Sequence, residues 1–132
     1  MAKKIKQQVN FSCKPSELFN IILDSKLHTK VTGAKASVSK KVGGKFSAYD
    51  GYCYGKNLKI TANKLIVQSW RATDWPEKHF STISFEFQKT DTGTKMVLTQ
   101  ENVPDDQLES IKKGWVDFYF NPIKDYLKSI KK

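Results

Sequence analysis

The chain has 132 residues, 39% hydrophobic and 12% aromatic, with a net charge of +10. That is the length of one domain able to bury a core without disulfide or metal support, and the composition excludes a disordered chain. No run approaches the ~20 apolar residues of a membrane span, no apolar stretch follows the basic opening Lys3-Lys4-Ile5-Lys6, and neither Cys13 nor Cys53 has a Cys or His at metal-ligand spacing; the expectation is a single cytosolic domain over residues 1–132, with two reduced thiols, no metal and no cofactor.

Residues 3–13 read as an opening strand, with Ile5, Val9 and Phe11 on alternating positions. Lys14-Pro15-Ser16-Glu17 predicts a helix start, because proline suits the first turn and an acid there complements the helix dipole; Leu18, Phe19, Ile22 and Leu23 follow at helical spacing. A second short helix is expected over 24–31, ended by Gly33. From Ala34 the period becomes two, broken at Gly43-Gly44, Asp50-Gly51, Asn63-Lys64 and Asp91-Thr92-Gly93, which predicts a meander of about six strands. In its clearest strand, 79–88, Ile83, Phe85 and Phe87 face one side and Thr82, Ser84, Glu86 and Gln88 the other; Met96 and Leu98 belong to its hairpin partner.

After Pro104, Leu108, Ile111, Trp115, Phe118, Ile123, Tyr126, Leu127 and Ile130 trace an apolar stripe at spacings mostly of three and four, predicting a long amphipathic helix. Asp105, Asp106 and Glu109 sit in its first turns and Lys128, Lys131 and Lys132 at its end, as the dipole prefers. Pro122 removes a donor and crowds the carbonyl of Phe118, so a kink is expected there. These elements describe an α+β helix-grip fold: a curved antiparallel sheet of six to seven strands wrapped around the C-terminal helix, with two short helices after the first strand. Phe46, Phe85, Phe87, Trp115 and Phe118 either line a cavity between sheet and helix or fill the core.

The positive charge calls for an acidic partner, whether nucleic acid, anionic membrane or protein. All but one of the 23 basic residues are lysine, which argues against base-specific readout by arginine forks. Clusters such as Lys40-Lys41 and 128–132 read as solvated surface. The exception is concentrated: the sole arginine and two of the three tryptophans fall in Trp70-Arg71-Ala72-Thr73-Asp74-Trp75-Pro76. Trp70, Arg71, Asp74, Trp75 and Pro76 read either as an aromatic platform with a charged rim, a composition suited to partner binding, or as an Arg71–Asp74 pair with Trp75 capping the core. Catalytic material is thin. His28 and His79 are far apart, no carboxylate pair stands out, and Glu86 shares a wet strand face, so the chain reads as a non-enzyme. Gly43 and Gly44 are assigned to a tight turn, Gly51 and Gly55 to a bulge or strand bend, and Gly114 to close helix approach or room beside Trp115.

Taken in order, Val42-Gly43-Gly44-Lys45-Phe46, Gly51, Gly55, Ile66-Val67-Gln68-Ser69-Trp70-Arg71, Asp74-Trp75-Pro76, His79-Phe80-Ser81-Thr82-Ile83, Gly114-Trp115, Tyr119-Phe120 and Ile123-Lys124 span nearly the whole chain. This series resembles the C-terminal domain of the activator of heat-shock protein 90 (Hsp90) ATPase family. The resemblance implies a START-like fold related to the birch-pollen allergen. It also implies a co-chaperone that contacts the nucleotide-binding domains of Hsp90 and favours their closed, dimerised, hydrolysis-competent state. Asn121-Pro122 departs from the family, where glycine is more usual. The alternative function is carriage of a small hydrophobic ligand or lipid in a START-like cavity, and a third is a small enzyme built on the same cavity.

Overall fold

The computed structural model describes residues 3–130. The opening strand is β1 (Lys3–Phe11), followed by α1 (Pro15–Leu23) and α2 (Ser25–Thr32). The meander is β2 (Ser37–Val38), β3 (Lys45–Ala48), β4 (Cys53–Thr61), β5 (Leu65–Ala72), β6 (Ser81–Lys89) and β7 (Thr94–Val103). All seven strands join one antiparallel sheet in the order β1-β7-β6-β5-β4-β3-β2, so the first strand closes on the last. The chain ends in a 3-10 turn (Asp105–Gln107), α3 (Leu108–Trp115), a π-helical turn (Val116–Phe120) and α4 (Asn121–Ile130). Lys131 and Lys132, the end of the expected basic cluster, lie outside the described residues.

Local chemistry explains the boundaries. Glu17 folds back so that its carboxylate accepts from the Lys14 N–H at 3.0 Å, closing the first turn of α1. Asp24 caps α2 by accepting from the N–H groups of Lys26 and Leu27, and Gly33 ends it at φ 77°. Those backbone donors, the Leu27 N–H first, and the Lys40 ammonium at 3.2 Å hold the Asp24 carboxyl below its ordinary range.

One face of the sheet is dry. Ile83, Phe85 and Phe87 of β6 are buried, set opposite Gln100, Leu98 and Met96 of β7. This strand begins at Ser81 rather than His79, because the 79–80 segment is still leaving a turn in which the His79 N–H donates to the Pro76 carbonyl. The concave face is covered by α1, through a Phe19–Phe87 edge contact at 6.0 Å, and by the C-terminal helices.

The C-terminal stripe differs from expectation. Ile111, Trp115, Ile123 and Leu127 are buried as predicted, but Phe118 is 56% and Ile130 48% exposed, and Tyr119 and Phe120 point inward instead. The reason is the π turn: the Asn121 N–H bonds the Val116 carbonyl, five residues back, so the turn holds an extra residue and brings both 119 and 120 to the core face. The helix thus answers Pro122 by widening the preceding turn. The Phe118 carbonyl, which would have bonded an N–H at position 122 in a regular α-helix, accepts the Tyr49 hydroxyl from the β3–β4 turn.

Gly55 is required by close approach: a Cβ there would fall 1.8 Å from the Ser69 carbonyl oxygen. Gly114 is not. The nearest neighbour to an added Cβ is Phe118 Cδ2 at 3.8 Å, an ordinary contact, so of the two roles expected for Gly114 close helix approach does not apply and room beside Trp115, where both border a pocket, does.

Candidate functional site

The 70–76 connection leaves the sheet at the end of β5. Thr73 donates its N–H to the Tyr52 carbonyl at 2.8 Å and Trp75 to the Ala72 carbonyl at 3.1 Å, reversing the chain in one turn. The turn folds Trp75 inward onto Trp70, 5.2 Å between ring centroids, and Trp70 in turn meets Trp115 at 5.7 Å. All three indoles are buried, so the predicted aromatic platform is part of the core.

Arg71 is also buried, at 8% exposure. Its guanidinium wraps the connection: Nε donates to the Pro76 carbonyl at 3.1 Å, Nη2 to the carbonyls of Trp75 at 2.5 Å and Pro76 at 3.1 Å, and Nη1 to the Tyr54 hydroxyl at 2.8 Å. A planar fork reaching three acceptors is work that lysine cannot do, which accounts for the one arginine in a lysine-rich chain. Arg71 neither lines a rim nor pairs with Asp74, whose carboxylate accepts from the Tyr52 hydroxyl at 3.3 Å. Of the five residues predicted to meet a partner, Asp74 and Pro76 are exposed, whereas Trp70, Arg71 and Trp75 shape the connection from beneath.

Behind the connection a buried chain of hydrogen bonds ties helix to sheet. Trp115 Nε1 donates to Gln100 Oε1 at 2.8 Å, Gln100 Nε2 to Ser81 Oγ at 2.9 Å, and Ser81 Oγ to the Trp70 carbonyl at 2.8 Å. Every polar atom in that chain is satisfied, so the network fixes the helix on the sheet without an unpaired group.

Beside it lies a pocket of about 300 Å³, walled by Tyr49, Tyr52, Cys53, Trp70, Ser110, Ile111, Gly114, Trp115, Phe118 and Tyr119. Of the five residues predicted to line a cavity, Trp115 and Phe118 do so here, Phe118 while largely exposed. Phe85 borders only a void of about 10 Å³, Phe46 borders that void and also a separate open cleft on the outer face, and Phe87 is packed against Phe19; all three residues are buried. Tyr49 and Tyr119 escaped the sequence reading because one sits in a turn, at φ 51°, and the other faces inward only through the π turn.

The titratable groups around the pocket are held neutral. Burial pushes the Cys53 thiol up to about 12 and the Tyr49 hydroxyl also up to about 12, and raises Tyr119 well above its ordinary value. Burial lowers His28, whose Nδ1 donates to the Ile22 carbonyl at 3.2 Å, leaving Nε2 to accept from the Tyr119 hydroxyl at 3.1 Å. A protonated thiol and a fully engaged neutral imidazole suit packing rather than nucleophilic attack. His79 Nε2 donates to the Asn102 carbonyl at 2.8 Å, well away from His28.

The family model described as "Activator of Hsp90 ATPase homolog 1-like protein" matches residues 12–128. The chain belongs to this family. The human activator of 90 kDa heat shock protein ATPase homolog 1 is 32% identical over 121 residues, 92% of this chain, and the Dictyostelium discoideum homolog 26% identical over 114 residues. The chain spans 36% of the human protein's length and 30% of the Dictyostelium one. Among solved structures, an Hsp90 activator from Plasmodium falciparum superposes with a TM-score of 0.85 at 33% identity, covering 97% of this chain and 96% of that one. A Mesorhizobium loti protein shares the fold at 20% identity with a TM-score of 0.84. Among the described residues no helix is long and apolar enough to cross a membrane.

Proposed function

We propose that this chain is a co-chaperone module that binds Hsp90 and stimulates its ATPase by favouring the closed, N-terminally dimerised state. The observation that carries the reading is the family match over residues 12–128, supported by the fit, over nearly the whole of both chains, to an Hsp90 activator of the same size. The module acts as a binding surface with no cofactor and no chemistry of its own, in the cytosol. A standard interface covers ~800 Å² on each partner, roughly a tenth of this chain's 7530 Å² surface. The exposed edge of the 70–76 connection, Asp74 and Pro76 with Arg71 holding them from below, contributes to that surface. To favour the closed state tenfold, the module must bind it about 1.4 kcal/mol more tightly than the open one, which a preformed and rigid surface does without an ordering penalty.

The test is the steady-state ATPase rate of Hsp90 titrated with the purified chain, beside a binding titration with and without a non-hydrolysable nucleotide. Stimulation with tighter binding in the nucleotide state is expected. Absence of both would overturn the reading.

A second reading, carriage of a small apolar ligand, is favoured by the aromatic pocket of about 300 Å³. Native mass spectrometry of the purified chain would then reveal a bound apolar molecule, displaced when the Gly114→Leu substitution fills the pocket.

A further inference from the structure

Strands β3 and β4 pair so that Lys45 stands directly opposite Lys56, both exposed. Like charges in that position destabilise a sheet, and among the described residues no carboxylate lies within ion-pair distance of either ammonium. The repulsion is left uncompensated in a chain of net charge +10. Close by, the regular pairing of β4 with β5 is interrupted: the Lys56 N–H donates to Ser69 Oγ at 3.0 Å, and the register shifts between Asn57 and Lys59. The outer face here holds an open cleft of about 790 Å³. Lys45 and Lys56 border it, the hydroxyls of Ser47 and Ser69 line it, and its wall includes the rings of Tyr54 and Phe80, 6.0 Å between centroids. Phe80 is 38% exposed, an apolar ring left at the surface. Tyr54 is held in place by the buried Arg71 through the 2.8 Å bond to its hydroxyl.

The spacing of these groups is that of an extended chain. Tyr54 and Lys56 are alternate residues of one strand and project from the same face ~7 Å apart, the repeat at which an extended peptide presents its own alternate side chains. We propose that the cleft docks an extended acidic segment of the partner, a carboxylate side chain between Lys45 and Lys56 and an apolar side chain two residues away against Tyr54 and Phe80. The occupant is a polypeptide rather than a nucleic acid because the positive charge is confined to one pair of lysines and does not track along a groove, and because the arginine that could fork onto a base or phosphate is engaged with backbone carbonyls. This inference rests on the co-chaperone reading for which protein carries the segment; the chemistry of the cleft does not depend on it.

The test uses the full chain, its Lys45→Gln/Lys56→Gln variant and its Phe80→Ser variant. Each is titrated with Hsp90 and, separately, with a fluorescent peptide of repeating Asp-Ser-Phe, its Asn-Ser-Phe counterpart and a single-stranded oligonucleotide, at low and high salt. The lysine variant is expected to bind Hsp90 and the acidic peptide roughly tenfold more weakly, with a flatter salt dependence, while its melting temperature stays level or rises at low salt because the opposed charges are gone. A lost contact accompanied by equal or better stability separates docking from a structural role. The Asn-containing peptide should bind weakly to every form. If Hsp90 binds the parent chain and both variants alike, the cleft assignment is overturned while the co-chaperone reading stands. If Hsp90 fails to bind but the acidic peptide binds in a lysine-dependent way, the cleft stands and the co-chaperone reading falls. Binding of neither, or an oligonucleotide that displaces the peptide, overturns the inference.

Discussion

Replacing Arg71 with methionine keeps most of the apolar stem and removes the fork, so it isolates what the guanidinium contributes. Four donor contacts reach three acceptors: the carbonyls of Trp75 and Pro76 and the Tyr54 hydroxyl. Pro76 is exposed and Tyr54 half-buried, so water can replace the fork at both, and each loss is about 0.5–1 kcal/mol. The Trp75 carbonyl accepts in a buried environment and is left without a partner, which costs about 1–3 kcal/mol. Methionine avoids desolvating a cation, which offsets part of the loss. The net expectation is a destabilisation of about 2–3 kcal/mol, with Arg71→Lys intermediate because one ammonium reaches a single carbonyl. Urea unfolding followed by tryptophan fluorescence measures it directly, since Trp70 and Trp75 lie on the affected connection; an unchanged m-value licenses the comparison. Asp74→Ala, at an exposed position with one long hydrogen bond, should move stability by less than about 0.5 kcal/mol. A loss below that same threshold for Arg71→Met would refute the clamp.

Two further outcomes follow from burial. Because burial lowers the pKa of His28 in the folded chain, the unfolded chain binds the proton more tightly; stability is full above pH 6.5 and falls by up to about 1.4 kcal/mol per pH unit as pH drops from there towards the lowered folded value. His28→Gln should lose this component, so parallel pH profiles of parent and variant in thermal melts would contradict it. The two glycines should respond with opposite signs in the same assay. Gly114→Ala meets only Phe118 Cδ2 at 3.8 Å and should stabilise by about 0.5–1 kcal/mol, whereas Gly55→Ala drives a Cβ to 1.8 Å from the Ser69 carbonyl and should destabilise by about 2–3 kcal/mol.

Elements whose signal is periodic were legible in the chain itself. The alternation of Ile83, Phe85 and Phe87 places β6 with its dry face correctly, and Asp24 and Gly33 bracket α2 as their capping chemistry requires. What escaped depends on contacts between distant segments. A stripe read at 3.6 residues per turn puts Phe118 inside, and only the π turn answered by Tyr49 turns it out and Tyr119 in. The cluster of Trp70, Arg71 and Trp75 is visible as unusual composition, and the reading in which Trp75 caps the core agrees with its burial; the burial of Arg71 was not legible, because nothing local reveals that the arginine faces carbonyls of its own loop. The Lys45–Lys56 opposition was hidden for a similar reason: it exists only once the strand register is known.

The bonds running from Trp115 through Gln100 and Ser81 to the Trp70 carbonyl have a consequence for evolution of the pocket wall. Apolar contacts tolerate sliding, since one methyl group substitutes for another, but a bond of 2.8 Å admits neither translation nor rotation of α3 without stranding a buried donor. The gap between helix and sheet is therefore measured by a strut rather than by how well side chains happen to fill it. Residues around the space can vary in size while the space keeps its dimensions, because the strut and not the filling sets the distance between α3 and the sheet.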